Sequence, residues 1–274
     1  MGLALALVVG FMLLWVVCLG THVLYNRPDL AHAPVVYADS ATWHDGDLLL
    51  MQHDVYNLTM PIACDIPVHL GIVWVHPTLG PCFVDSHMSQ KPTDIFQDAL
   101  SNRGSTVGTR VMRIADFMRV YQGTVYRRPR TGGHIEPAAM AAAVEWAREQ
   151  PFDSFVANGR PLIIAGICTS TMFPTASRAL MHAGGPMYDA TNARLRGMFC
   201  TELVAEILKR VSALDPAFVS HIASPLAFTS SMAHIDVAAA ALPARLTWGR
   251  EERVLAGVAD KRVRLSGSRR ASTA

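Results

Sequence analysis

The sequence predicts an α+β fold, because short apolar runs typical of strands alternate with helices that have one apolar face. The run His69–Val75 is rich in β-branched residues, and Cys82–Ser86 follows it after a turn with two prolines and a glycine. These two runs are predicted to form an antiparallel hairpin. After Gly197, apolar residues recur at three- and four-residue steps, as on an amphipathic helix: Leu203, Val204, Ile207, Leu208 and Val211.

The chain begins with a segment that is predicted to be a transmembrane anchor, residues 1–25. Leu3–Tyr25 lacks Asp, Glu, Lys and Arg and has about the length that spans a bilayer as a helix. The rival interpretation is a secretory signal, but no Lys or Arg precedes the apolar run and no clear cleavage site ends it. Arg27 lies just beyond the run and favours a single-pass protein with a cytoplasmic C-terminal domain.

Three further regions follow the predicted anchor. Residues 26–43 contain prolines and polar residues and are interpreted as a stalk. Residues 44–235 contain the strand and helix patterns described above and form the predicted main domain. Residues 236–274 are interpreted as a C-terminal extension that ends in the basic tail Lys261–Arg270.

Composition excludes some classes of partner and cofactor. The 274 residues carry 24 Lys and Arg against 22 Asp and Glu, so a net charge of +2 gives no case for a nucleic-acid partner. The five cysteines are scattered and odd in number, which matches neither a disulfide framework nor a zinc ribbon. They fit a reducing environment, although an oxidising compartment with one or two bridges stays open. No metal site or other cofactor is predicted.

Further elements are predicted along the domain from propensity and breakers. They are a helix at Thr93–Leu100, a strand at Thr109–Ile114, a helix at Ala115–Val120, a strand at Thr124–Arg127, a helix at Glu136–Gln150 and a buried strand at Leu162–Cys168. Residues 159–197 have no clear assignment, and 169–185 are interpreted as an insertion. Arg127, Arg128 and Arg130 are interpreted as a solvated basic face, with an anionic headgroup or a substrate carboxylate as the alternative.

Two residues favour nucleophilic catalysis. Cys200 falls at the start of the amphipathic helix, where unpaired N–H groups and the helix dipole lower a thiol's pKa. His69 opens a buried strand and is suited to be the general base. The hairpin is expected to bring Asp85 beside His69, where it would fix the imidazole tautomer. His87 has the same strand parity and is the second candidate.

Four motifs resemble those of the circularly permuted NlpC-type papain-like hydrolases. They are Gly46-Asp47-Leu48-Leu49-Leu50, His69-Leu70-Gly71-Ile72-Val73, Phe83-Val84-Asp85-Ser86 and Phe199-Cys200-Thr201-Glu202-Leu203-Val204. This superfamily includes bacterial permuted amidases, poxvirus proteins and, more distantly, the lecithin:retinol acyltransferase group. The resemblance implies an antiparallel sheet packed against the cysteine-bearing helix, and a catalytic order of histidine, polar residue and cysteine.

Three functions follow as alternatives. The first is a membrane-anchored cysteine hydrolase of the amidase or peptidase type that acts through an acyl-enzyme thioester. The second is a lipid acyl hydrolase or acyltransferase at the bilayer surface, which the predicted anchor favours. The third is a tethered interaction protein without catalysis, against which the complete set of Cys200, His69 and Asp85 argues.

Overall fold

The computed structural model describes residues 30, 32–52, 67, 69–87, 99–100, 108–121, 123–150, 198, 200–218, 220, 225–231, 234–240, 242 and 245–257. The strands are β1 (Val35–Tyr37), β2 (Leu48–Gln52), β3 (His69–His76), β4 (Gly80–His87), β5 (Gly108–Arg113), β6 (Thr124–Arg128), β7 (Arg130–Gly132), β8 (Thr247–Trp248) and β9 (Glu252–Leu255). The helices are α1 (Ile114–Val120), α2 (Pro137–Glu149), α3 (Cys200–Arg210) and α4 (His234–Ala240), with a 3₁₀ turn at Pro225–Phe228.

The main sheet has seven strands in the order β1-β9-β6-β2-β3-β4-β5. Every neighbouring pair in it is antiparallel except β1 and β9, which run parallel. A second, two-stranded sheet pairs β7 with β8. The predicted α+β class with a mostly antiparallel sheet is therefore confirmed.

The two faces of the main sheet are both buried, each by different helices. Alternate side chains along a strand point to opposite faces, so four consecutive residues of β2, from Leu48 to Met51, can all be apolar. On one face Leu48, Leu50, Leu70 and Ile72 pack with residues of α2 and α3. On the other face Leu49, Met51, Val73, Phe83 and Met112 pack with Phe117 and Met118 of α1.

Helix α3 confirms the amphipathic pattern around the cysteine. It begins at Cys200, and its buried positions include Leu203, Val204, Ile207 and Leu208. These side chains lie against β3, β4 and α2. The helix therefore has its N-terminus close to the ends of the central hairpin.

The central hairpin has the predicted register. Ile72 lies opposite Val84 and His76 lies opposite Gly80, with a turn at residues 77–79. The strands and helices predicted in residues 109–150 are also found, with bounds that differ by a residue or two. These segments carry strong local signals, such as the apolar face of α2 that Met140, Val144 and Ala147 form.

The predicted domain boundaries need correction at both ends. Strand β1 lies in the segment interpreted as a stalk, and β8 and β9 lie in the segment interpreted as a C-terminal extension. The start of that extension is helical, since residues 234–240 form α4. Because β1, β8 and β9 have only three, two and four residues, no periodic pattern marked them in the sequence.

The predicted basic face is also wrong for two of its three arginines. Arg127 and Arg128 are buried and paired with acids. Arg127 binds Asp47 at 2.7 Å and lies 3.5 Å from Glu252, while Arg128 binds Asp236 at 2.6 Å. Burial of an arginine requires such partners, and these came from segments distant in the sequence. Neither guanidinium forms a solvated basic face.

Several predictions fall outside the described residues. These are the anchor at 1–25, residues 26–29 and 31 of the stalk, the segment 93–98, the strand at 162–168, the insertion at 169–185 and the basic tail at 261–270. Among the residues that are described, no helix combines the length and the apolar character that a bilayer crossing requires.

Replacing Asp47 by Ala tests the buried charge network beside β2. Asp47 accepts hydrogen bonds from Arg127 Nε at 2.9 Å and from the backbone N–H of Arg130 at 2.7 Å. Without this carboxylate the buried Arg127 keeps its hydrogen bond to the carbonyl oxygen of Thr42, but its acidic partner Glu252 is farther away, at 3.5 Å. We expect the free energy of unfolding to fall by about 3–5 kcal/mol in urea denaturation.

The matched control is Asp116→Ala, which removes an exposed partner of Arg119. Such a surface pair contributes about 1 kcal/mol or less. Equal losses in the two variants would contradict a structural role for the Asp47 network.

Candidate active site

His69 and Asp85 meet at one end of the central hairpin. His69 is the first residue of β3 and lies opposite Met51 of β2. Asp85 follows Val84, the partner of Ile72, so it is on the same sheet face as His69. The distance from His69 Nε2 to Asp85 Oδ2 is 2.9 Å. The structure thus brings together the histidine and the carboxylate that the sequence predicted.

Asp85 is fully buried within β4. Arg110 lies directly opposite it on β5. The guanidinium donates from Nε to Oδ1 at 2.8 Å and from Nη2 to Oδ2 at 2.9 Å. A bidentate arginine fixes the plane of a carboxylate, so Asp85 presents Oδ2 to His69 in one orientation.

The surroundings of Asp85 keep it ionised. Burial alone would raise the pKa of this carboxyl, but the charge of Arg110 and the hydrogen bond from His69 outweigh burial. Together they hold the pKa of Asp85 well below its ordinary range. An ionised carboxylate only accepts hydrogen bonds, so His69 Nε2 carries a proton. The ring nitrogen that remains for another partner is Nδ1.

Gly71 is the residue that lets the hairpin close around this pair. A Cβ atom on Gly71 would lie 2.0 Å from Cε2 of Phe83 and 2.7 Å from the carbonyl oxygen of Val84. Both distances are far inside van der Waals contact. A larger residue would push Phe83 and Val84 away and move the adjoining Asp85 with them. Steric fit therefore explains why a glycine stands in the His-x-Gly sequence.

Cys200 approaches His69 from the other side of the sheet end. It is half-buried at the first position of α3, and its sulfur is hydrogen-bonded to His69. The backbone N–H groups of Leu70 and Thr201 also donate to the sulfur. Leu70 belongs to the part of β3 that extends beyond the Ile72–Val84 pair, the last pair of the hairpin register. The N–H of Leu70 can therefore donate a hydrogen bond to the sulfur of Cys200.

The start of α3 is tied to the hairpin by a second contact. Ser86 of β4 donates a hydrogen bond from Oγ to the carbonyl oxygen of Met198 at 2.8 Å. Ser86 follows Asp85 directly, and Met198 lies two residues before Cys200. Strand β4 therefore positions both the carboxylate that holds the imidazole and the chain that leads into the cysteine.

The thiol and the imidazole stabilise each other's charged forms. Burial raises the pKa of Cys200, but the charge and hydrogen bond of His69 and the two N–H groups outweigh burial, so the pKa is lowered. Burial likewise lowers the pKa of His69, but the charge of Cys200 and the hydrogen bonds to Asp85 and Cys200 raise it to about 10. Each group therefore favours the charged form of the other.

Solvent reaches this pair, since the His69 side chain is 28% exposed while Asp85 behind it is sealed. A half-exposed nucleophile with a buried orienting group is the arrangement that acyl transfer requires. His87, the second candidate for the orienting role, lies in β4, but its side chain is outside the described residues. Nε2 of His69 is already hydrogen-bonded to the carboxylate of Asp85.

Sequence reasoning missed Arg110 and Ser86. Arg110 lies inside the predicted strand Thr109–Ile114, next to the apolar residues Val111 and Met112, and a charge within a buried strand implies a partner. That signal was present in the sequence. Ser86 gave no signal, because a serine beside an aspartate is common on surfaces. Among the described residues, no three His, Cys, Asp or Glu side chains gather closely enough to hold a metal ion.

Comparison with known proteins returned no match. No protein-family model matches the chain, and neither a curated protein nor a solved structure matches it. Any functional assignment therefore depends on the geometry of Cys200, His69, Asp85 and Arg110.

The pH dependence of alkylation by iodoacetamide tests the thiolate–imidazolium pair. Because His69 lowers the thiol pKa, Cys200 should react as a thiolate well below the ordinary thiol pKa of about 8.5. In His69→Ala this stabilisation is lost, and we expect the rate at about pH 6 to fall at least ~10-fold. Peptide mass spectrometry of Cys200 measures the rate.

Cys82 in the same digest is the internal control, since it is fully buried in β4 and should stay unlabelled in the native protein. An unchanged pH profile of Cys200 labelling in His69→Ala would show that the imidazole does not activate the thiol.

Proposed function

We propose that this protein is a cysteine hydrolase that forms an acyl-enzyme thioester on Cys200. The observation that carries the proposal is the contact between Cys200 and His69, each of which opens its own element, α3 and β3. A buried Asp85 on the far nitrogen of the imidazole completes a nucleophile, a base and an orienting group.

The reaction would begin from the thiolate–imidazolium pair. The Cys200 thiolate attacks the substrate carbonyl, and the carbon–sulfur bond forms as the carbonyl electrons move to oxygen. His69 then gives its Nδ1 proton to the leaving amine or alcohol, whose bond to carbon breaks. Backbone N–H groups at the start of α3 are the expected oxyanion donors, and each such donor contributes on the order of 3 kcal/mol.

Hydrolysis needs the same groups in a second half-reaction. His69, now neutral, takes a proton from water as the water oxygen attacks the thioester. The carbon–sulfur bond breaks, and the products are a carboxylic acid and the Cys200 thiolate beside the imidazolium of His69. Asp85 holds the ring in one tautomer through both halves.

The fold that this proposal implies is the permuted papain-like, NlpC-type fold. Its support is the chain order of His69, Asp85 and Cys200 together with an antiparallel sheet against which the cysteine-bearing helix packs. The apolar run Leu3–Tyr25 supports a membrane-anchored enzyme. We propose a cytoplasmic catalytic domain from the charge at Arg27.

The proposed substrate is an amide of the peptide, isopeptide or γ-glutamyl class. The Cys-Thr-Glu-Leu-Val form of the cysteine motif supports it, because this form resembles the permuted amidases. The second candidate is a lipid ester, hydrolysed or used as an acyl donor at the bilayer surface. The apolar run at the start of the chain favours it.

Acylation by p-nitrophenyl acetate tests the proposal on the full-length protein in detergent. We expect one acetyl group on Cys200 by mass spectrometry, and loss of that group in Cys200→Ala. In His69→Ala the acetylation rate should fall at least ~100-fold, the usual size of a general acid–base contribution. Cys82→Ala is the matched control and should acetylate at the wild-type rate.

No acetylation of Cys200 in the wild-type protein would contradict the hydrolase and leave the catalytically silent, tethered protein. Turnover of a γ-glutamyl peptide library and of phospholipid vesicles, compared in parallel, then separates the two substrate classes.

A further inference from the structure

The carboxylate of Asp85 lies between the guanidinium of Arg110 and the catalytic imidazole of His69. Arg110 lies opposite Asp85 in the β4–β5 register, donates two hydrogen bonds to it and has a side chain only 5% exposed. Asp85 Oδ2 accepts from Arg110 Nη2 and from His69 Nε2 at the same distance of 2.9 Å. Arg110 and His69 therefore share one oxygen of a single buried charge.

The charges that act on His69 come from two packed elements. Cys200 on α3 and Asp85 on β4 both favour the imidazolium. On β2 the residue opposite His69 is Met51, which carries no charge. Arg110 on β5 offsets the charge of Asp85, so the thiolate of Cys200 is the main counter-ion of the imidazolium.

This balance matters when the thiolate is consumed. In the acyl-enzyme the sulfur is bonded to carbon and carries no charge, so Asp85 alone would hold the proton on His69. A buried carboxylate without a cationic partner strongly favours a protonated neighbour. Water attack needs a neutral imidazole, because only the unprotonated Nδ1 can take the proton from water.

We infer that Arg110 is a positioning residue for the second half-reaction, where it neutralises Asp85 so that His69 can act as a base on water. This role rests on the proposed hydrolase function. In that step the water oxygen bonds to the acyl carbon, the water proton goes to His69 Nδ1, and the carbon–sulfur bond breaks to release the carboxylic acid and the thiolate.

The test is the pH profile of deacylation in Arg110→Gln, with p-nitrophenyl acetate as the probe. Release of p-nitrophenolate in the first turnover reports acylation, and loss of acetyl from Cys200 reports deacylation. We expect the acidic limb of the deacylation profile to move up by about one pH unit and the deacylation rate at about pH 7 to fall ~10-fold. The first-turnover burst should persist, so that the acetyl-enzyme accumulates.

Arg110→Lys is the conservative variant that keeps the charge. We expect the acidic limb of its deacylation profile to stay within about half a pH unit of the wild type. The positive charge at position 110, rather than the two-pronged geometry of the guanidinium, offsets the charge of Asp85. A limb that stays in place in Arg110→Gln would overturn the inference. So would an equal fall of both phases without any shift in pH.

A charge-matched pair keeps the test decisive if Arg110→Gln does not fold. Asp85→Asn keeps the Arg110 charge, and the double variant Asp85→Asn with Arg110→Gln removes it without leaving a buried ion. We expect the acidic limb of the double variant about one unit above that of Asp85→Asn. If the acidic limbs of the double variant and of Asp85→Asn coincide, the inference is overturned.

Failure of the inference and failure of the proposed function give different results. If wild-type Cys200 is never acetylated, the hydrolase proposal fails and Arg110 has no such role. If Cys200 is acetylated and turns over but the limb does not move, only the role of Arg110 fails.

Discussion

The carboxylate of Asp85 is the constraint on which the rest of the site depends. It is fully buried, and a buried charge is stable only when donors surround it. Arg110 supplies two of these donors and His69 supplies the third. Because the arginine fixes the carboxylate plane, the imidazole has one tautomer and one orientation. The nitrogen that it presents to Cys200 is thereby determined.

Each neighbouring element contributes one part of this arrangement. Strand β3 begins with the imidazole of His69, β4 carries the carboxylate of Asp85 and β5 carries the guanidinium of Arg110. Three adjacent strands therefore hold one row of interacting charged groups. Helix α3 packs on the opposite face from α1 and brings its N-terminus past the end of the hairpin. The contact between Ser86 and Met198 fixes that approach. The reactive groups therefore sit on the rigid core of the sheet, while the sulfur and the imidazole stay open to solvent.

Local patterns predicted the central part of the molecule. The hairpin, α2 and the helix that begins at Cys200 have strong periodicity or strong breakers, and His69 and Asp85 followed from the hairpin geometry. The outer strands were missed, because β1 and β9 are short and are defined by pairing with distant segments, β1 with β9 and β9 also with β6. The buried arginines were misinterpreted for a related reason. Arg127 and Arg128 look like a basic surface until Asp47 and Asp236, distant in the sequence, are found beside them.

The most direct test of the account is the titration of His69 by nitrogen-15 NMR, in the wild-type protein and in Cys200→Ala. The account predicts that both ring nitrogens of wild-type His69 stay protonated at neutral pH, with a pKa of about 10. Removal of the thiolate should lower that pKa by at least about one unit, because Cys200 is the main counter-ion. The same pKa in both proteins, near the ordinary value of about 6.5, would contradict the account.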